Sequence, residues 1–258
     1  MRSAALVSRA LSKIVYPFLP SRFRLGFRYW LAAVDGLQEP ELRLLPRLVS
    51  KADVAIDIGA NCGFYAFRMS KIFSKVYAFE INDELTGDLL KYNPGNITVM
   101  NVGLSSKAGE TTLYIPVLNG LPLTGWASLA PGNYPDATDE IKKLVRVATL
   151  DSFQLENVSF VKIDVEGHEP PVLEGARQTL AKHRPTVLIE IKEGNRPAVF
   201  QFFSELKYDR RNLEELTDAQ GSPENYISFR SDPLLDVRFG IEIQHNESDA
   251  EKRPKKTL

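Results

Sequence analysis

Ten residues, Val54 to Gly63 (VAIDIGANCG), constrain this chain more than any other stretch. A short apolar run ends in Asp57, then Gly59, Asn61 and Gly63 follow at alternate positions, and an apolar segment of helical character begins. A buried strand that runs into a glycine turn and then a helix is a nucleotide-binding element. Glycine suits it because a Cβ would clash where the backbone passes close to a ligand. The spacing is not G-x-G-x-x-G; it reads D-x-G-x-N-x-G, with an acid just before the turn. A plainer alternative is a buried strand with a capped turn, Asn61 capping the next helix. That accounts for Asn61 but not for the acid and both glycines together.

The rhythm around this element sets the fold class. From Ala52 to Ile191, short apolar runs alternate with helical periodicity. The runs Val54–Ile58, Val76–Phe79, Ile97–Met100, Phe160–Ile163 and Thr186–Ile191 read as strands. Helices are expected over Phe64–Ile72, Asp83–Tyr92, Pro171–Lys182 and Ala198–Leu206. Such alternation implies a mostly parallel sheet with helices on both faces, joined by right-handed crossovers. Residues 105–150 break the rhythm: Thr111–Ile115 and Leu144–Ala148 alternate like strands, and a Pro- and Gly-rich stretch lies between them. This loop-rich insertion is either a structural hairpin or a set of specificity loops over the sheet edge. Three segments follow: a helical, basic cap over 1–50, a catalytic domain over 51–243, and a polar tail over 244–258 expected to be disordered.

Composition excludes several classes. The formal net charge is -1, which gives no bulk attraction to nucleic acid. The single cysteine, Cys62, rules out a disulfide framework and suits a reducing, cytoplasmic compartment. Three histidines do not make a multi-histidine zinc site, so no metal ligands are assigned. Before Asp35 every charged residue is Arg or Lys, and Val7, Leu11, Ile14 and Phe18 share a helical face. That segment either packs on the domain with its basic face in water or lies on an anionic membrane, at the inner face. Arg9 and Lys13 interrupt any apolar stretch there, so a cleaved signal peptide is not expected.

The acids define the ligand. A pyrophosphate would be repelled by Asp57, whereas the sulfonium and ammonium of S-adenosylmethionine would be attracted. Glu80 closes the second strand about twenty residues on, where an acid hydrogen-bonds the two hydroxyls of an adenosine ribose. A third cluster, FVKIDVEGHEPPVL, runs from apolar strand into Asp164, Glu166, His168 and Glu169. Acids crowded at a strand end repel one another and cost desolvation, so they point to a cationic ligand, a metal, or a proton to be removed. Glu169 is assigned to the start of the next helix. His168 is either a general base or a surface residue. Glu190, inside an apolar strand, also asks for a partner.

IDIGANCGFY, YAFE, TLDSF, VKIDVEGHE and VLEGA, in this order over residues 52–194, resemble the FkbM family of methyltransferases. The resemblance implies a class I Rossmann-like fold with a mostly parallel seven-stranded sheet, and S-adenosylmethionine as cofactor. It implies that Asp57, Gly59, Asn61 and Gly63 line the cofactor and that Glu80 holds its ribose. Asp164 and Glu166 would stand where methyl meets acceptor. The family pattern varies at His168, which is kept as the second candidate base. The implied acceptor is a small molecule or glycolipid: a sugar hydroxyl, with a polyketide hydroxyl as the alternative. Tyr114, Trp126 and Tyr134 in the insertion suit the apolar faces of sugar rings. A divalent metal on Asp164 is left open. An NAD-dependent reductase disagrees with the glycine spacing, and a non-catalytic binding module would be expected to lose Asp57, Glu80 or Asp164, all of which are present.

Overall fold

The computed structural model describes residues 15–92, 94–212 and 225–229. The expected helix through Val7, Leu11 and Ile14 and the expected disordered tail over 244–258 lie outside the described residues. Within them, α1 (Ser21–Asp35) and α2 (Glu41–Leu48) precede the sheet. Then follow β1 (Val54–Ile58), α3 (Phe64–Met69), β2 (Lys75–Phe79), α4 (Gly87–Tyr92) and β3 (Ile97–Met100). Next come β4 (Gly103–Leu104), β5 (Gly109–Leu118), β6 (Leu121–Pro122) and β7 (Asp139–Ala148). The chain continues through β8 (Val158–Ile163), α5 (Glu169–Gly175), α6 (Arg177–His183), β9 (Thr186–Glu190) and α7 (Arg196–Glu205), then β10 (Asp209–Asn212) and β11 (Asn225–Phe229).

The main sheet has seven strands in the order β10-β11-β9-β8-β1-β2-β3. It is parallel from β9 to β3, and only β11 runs antiparallel to its two neighbours. Strand alternation divides the core between the two faces. Ala55 and Phe160 pack with Leu25, Leu45, Ala66 and Met69 on one side. Ile56, Ile58, Val161 and Ile163 pack with Val172, Leu180, Val199 and Phe203 on the other. The order in which strands are added reverses between β1 and β8, with β2 and β3 on one side and β9 on the other, so the crevice beyond their C-terminal ends is where a doubly wound fold binds its ligand.

Expected elements recur with specific differences. β1 and β3 have the expected bounds. The single helix read over Pro171–Lys182 is two helices broken at Ala176. Gly175 there passes so close to Ser105 that a Cβ would lie 2.1 Å from its carbonyl oxygen. Asp151 then caps α6, accepting from the Gln178 and Thr179 amides at 3.0 and 2.8 Å. About half of insertion 105–150 is sheet: β5 and β7, ten residues each, pair antiparallel within a four-stranded sheet ordered β4-β7-β5-β6. The longer loops lie in the link between them, which also holds β6 and a 3-10 turn at Thr124–Trp126.

Candidate active site

The turn after β1 explains its own sequence pattern. Gly59, Asn61 and Gly63 have φ of 75°, 50° and 88°, so the three singled-out positions are the three left-handed ones. Asparagine tolerates that region better than other non-glycine residues. A Cβ on Gly59 would stand 1.7 Å from the Asp164 carbonyl oxygen. The β1 and β8 loops therefore touch through a bare backbone, and the first need for Gly59 is inside the protein. Gly63 lies against Leu89, where a Cβ would meet the side chain at 3.0 Å. Asn61 does not cap α3, whose N-cap is Gly63 without a side-chain bond. Its side-chain amide donates instead to the Gly125 carbonyl of the insertion at 3.1 Å.

Glu80, one residue past β2, is held by two backbone amides: Asn61 N–H donates to Oε2 at 2.7 Å and Asn82 N–H to Oε1 at 2.8 Å. Each oxygen keeps a lone pair, a geometry able to accept from two vicinal hydroxyls. Burial pushes its carboxyl up, and the two amides oppose that.

Across the crevice, β8 ends in the acidic turn. Glu166 has a φ of 50° and Gly167 of 95°. A non-glycine residue held left-handed needs support, and its carbonyl accepts from Ser128 Oγ at 2.5 Å and Asn133 Nδ2 at 2.6 Å. Both donors come from the insertion, which thus pins the turn. The Glu166 carboxylate lies 3.1 Å from Lys192 Nζ and 3.4 Å from the Tyr134 hydroxyl. Burial, then the charge of Asp164, raises its pKa. His168 is half-buried rather than on the surface: Nε2 is 3.0 Å from Ser105 Oγ, and burial lowers its pKa, favouring neutral imidazole. Glu169 starts α5 as expected but is also buried, accepting from Gly167 N–H and Asn195 Nδ2 at 2.7 and 2.5 Å. Glu190 closes β9 with Lys192 at 3.9 Å. Burial and then the charges of Asp164 and Glu166 push it up to about 8.

One residue escaped the sequence reading. Lys162, hidden in the apolar run of β8, is paired in register with Asp57 of β1, so both side chains leave the same face. Its ammonium sits 3.1 Å from Asp164 Oδ2, 3.3 Å from the Gly59 carbonyl, 4.0 Å from Asp57 Oδ1 and 4.7 Å from the centre of the Tyr65 ring. Asp57 is fully buried and neither oxygen has a hydrogen-bond partner. Burial raises its carboxyl to about 6, with Lys162 pulling the other way. Lys162 is itself raised above the usual lysine range by the charges of Asp164 and Asp57, which outweigh its burial. The signal that could have found it was a lysine among residues that alternation buries on both faces.

Gly59, Asn61, Glu80, Asp164, Glu166 and His168 all line one cavity beyond the C-terminal ends of β1 and β8. Asp57 lies beneath the floor and Gly63 lies off it. Three carboxylates and, among the described residues, no lysine or arginine line the cavity, so its field suits a ligand carrying positive charge. Its lining fits S-adenosylmethionine. Among the described residues no group of three or more His, Cys, Asp or Glu side chains could hold a metal ion. Trp126 and Tyr134 stack beside Glu166 with ring centres 4.7 Å apart and planes 4° from parallel. Tyr114 does not join them; its ring meets Lys142.

A seven-stranded sheet of this order, with a left-handed loop after its central strand and a carboxylate closing the next, defines an S-adenosylmethionine-dependent methyltransferase. The family model of the methyltransferase FkbM domain matches residues 57–211, and the chain belongs to that family. Hexuronic acid methyltransferase AglP of Haloferax volcanii is 31% identical over 178 residues, covering 66% of this chain and 69% of that protein. Among solved structures, methyltransferase FkbM from Methylobacillus flagellatus KT aligns with a TM-score of 0.49 at 16% identity, over 69% of this chain and 43% of that one. This chain thus spans less than half the length of the Methylobacillus protein. A putative methyltransferase from Streptococcus mutans in complex with SAH aligns with a TM-score of 0.42 at 13% identity, over 73% of this chain and 95% of that one.

Proposed function

We propose that the protein methylates a hydroxyl of a sugar, within a glycolipid or lipo-oligosaccharide, to give an ether. The carrying observation is the Trp126–Tyr134 stack beside the Glu166 carboxylate: an aromatic platform for a sugar face next to a base. Similarity to a hexuronic acid methyltransferase supports a sugar acceptor.

When bound, S-adenosylmethionine supplies a methyl already activated on a sulfonium. Glu80 would accept from its ribose hydroxyls, the Gly59–Gly63 turn would pass beside it, and Asp164, which lines the cavity, would favour its positive charges. Replacing Glu80 with Ala is expected to weaken cofactor binding by about 1.5–3 kcal/mol, the worth of hydrogen bonds to a charged group; titration calorimetry reads this directly.

A sugar hydroxyl is a poor nucleophile and needs a base. Glu166 fills that role because its carboxylate stands beside the Trp126–Tyr134 stack, where the acceptor would sit. Glu166 would take the hydroxyl proton as the acceptor oxygen gains the methyl and the methyl–sulfonium bond breaks, its electron pair staying on sulfur. His168 stands second, and its bond to Ser105 orients the ring. A base works only when unprotonated, so kcat/KM should fall at low pH, with a midpoint above the ordinary carboxylate range. Lys192 lowers the pKa of Glu166. Lys192→Ala is therefore expected to move this acidic limb to higher pH, and a limb that stays in place or moves down would remove Glu166 as its source.

Product analysis tests the acceptor. Labelled cofactor is supplied with neutral glycans, hexuronic acid glycosides and macrolide intermediates, and the added methyl is located by mass spectrometry. A methyl on a sugar hydroxyl is expected. A methyl on a macrolide hydroxyl would keep the chemistry and overturn the substrate. A methyl ester on a hexuronic acid carboxylate, or a methyl on nitrogen or nucleic acid, would overturn the reaction itself.

A further inference from the structure

Helix α1 carries two apolar faces. One is explained: Leu25 and Leu31 are buried, Tyr29 packs on Phe64 and Phe67, and Arg28 pairs with Asp88 of α4 at 3.1 Å. The other is not. Phe23, Trp30 and Val34 are 52%, 51% and 48% exposed, and Leu37, just past the Gly36 cap, is 76% exposed. Phe27 stacks on Trp30. Positions 23, 27, 30, 34 and 37 follow the i, i+4, i+7, i+11, i+14 spacing of a single helical stripe. A contiguous exposed apolar stripe marks an interaction surface.

The charges beside the stripe select its partner. Along α1 the charged residues are Arg22, Arg24, Arg28 and, at its last position, Asp35, one of whose carboxylate oxygens is buried. Arg22 lies over the Phe23 ring at the edge of the stripe, and Arg24 lies over Tyr16 while donating to the Leu19 and Pro17 carbonyls. Aromatic and aliphatic side chains with arginines at one end match the boundary of an anionic bilayer, where rings sit at the headgroup level and cations meet lipid phosphates. No helix among the described residues is long and apolar enough to cross a membrane, so the contact is in-plane. We infer that α1 docks the protein on an anionic membrane surface through Phe23, Phe27, Trp30, Val34 and Leu37, with Arg22 and Arg24 at the headgroups. The inference does not rest on the sugar acceptor, since binding to lipid is read without methyl transfer.

The test uses the full chain and vesicles of phosphatidylglycerol with phosphatidylcholine, against phosphatidylcholine alone. Cosedimentation is expected with the anionic vesicles, falling as salt screens the arginines. In a Trp126→Phe background, where Trp30 is the remaining tryptophan, emission should shift to the blue on binding. The double substitution Phe23→Ser, Trp30→Ser removes two exposed side chains and should leave thermal stability close to wild type. It is expected to cut the vesicle-bound fraction by at least about tenfold, as loss of large apolar anchors requires. Three results would overturn the inference: no binding or equal binding to both vesicles; a Trp30 emission already blue and unmoved by lipid, meaning that residues 1–14 cover the stripe; or dimerisation in sedimentation velocity that the double substitution abolishes.

Discussion

Lys162→Met is expected to destabilise the protein by about 3–5 kcal/mol, the usual cost of removing one member of a buried charge cluster. Lys162 is 5% exposed and Asp57 0%, so neither charge has water in place of its partner. The loss should depend on pH in a defined direction. The folded-state pKa of Asp57 is raised to about 6, above the 3.8 of an ordinary aspartate. A carboxyl raised on folding contributes stability when protonated and loses it as pH rises through its folded value. Without Lys162 that value climbs further, so the deficit in melting temperature should be larger at pH 8 than at pH 5. Adding Asp57→Asn should remove this pH dependence. A deficit equal at both pH values would show that Lys162 acts through packing on Tyr65 rather than through charge. Lys162→Arg should recover part of the stability, because it restores the cation without the same fit to the Gly59 carbonyl.

Glu166→Gln is expected to lower kcat by roughly 10²–10⁴-fold, the range for a positioned general base, with cofactor affinity nearly unchanged. The amide keeps the shape of the side chain, and the left-handed turn is held through the Glu166 backbone carbonyl by Ser128 and Asn133. Folding should therefore survive. The acidic limb of the pH profile should vanish with the carboxylate. A variant that retains turnover within a few-fold would pass the base role to Asp164 or His168. The companion change His168→Gln separates these: His168 meets Ser105, and its loss should cost less than that of Glu166 if the imidazole only orients the turn.

The main elements of the site were legible because their demands are local. An apolar run of four to six residues reads as a buried strand wherever it pairs, and β1 and β3 have the bounds expected of them. Gly59, Asn61 and Gly63 stood out because a left-handed backbone narrows residue choice at each position separately. Close approach to a ligand does not by itself account for Gly59. Gly59 must also clear the Asp164 carbonyl, a residue more than a hundred positions away. Nothing within the turn itself announces that contact. The helix over Pro171–Lys182 was read as continuous because its periodicity runs on past Ala176; the break comes from Gly175 meeting Ser105 and from Asp151 capping the second half.

By itself the sequence determined the doubly wound strand–helix order, the left-handed turn after β1, and the acids that end β1, β2 and β8. Each follows from the conformational and burial preferences of a few adjacent residues. The tertiary structure alone decided that Lys162 faces Asp57, that the insertion pins Glu166 through Ser128 and Asn133, and that Trp126 and Tyr134 stack beside it. Those are matters of register between strands and of loops meeting across a crevice. A lysine inside an apolar strand becomes a charge partner only when the neighbouring strand, paired in one register and no other, sets a carboxylate on the same face.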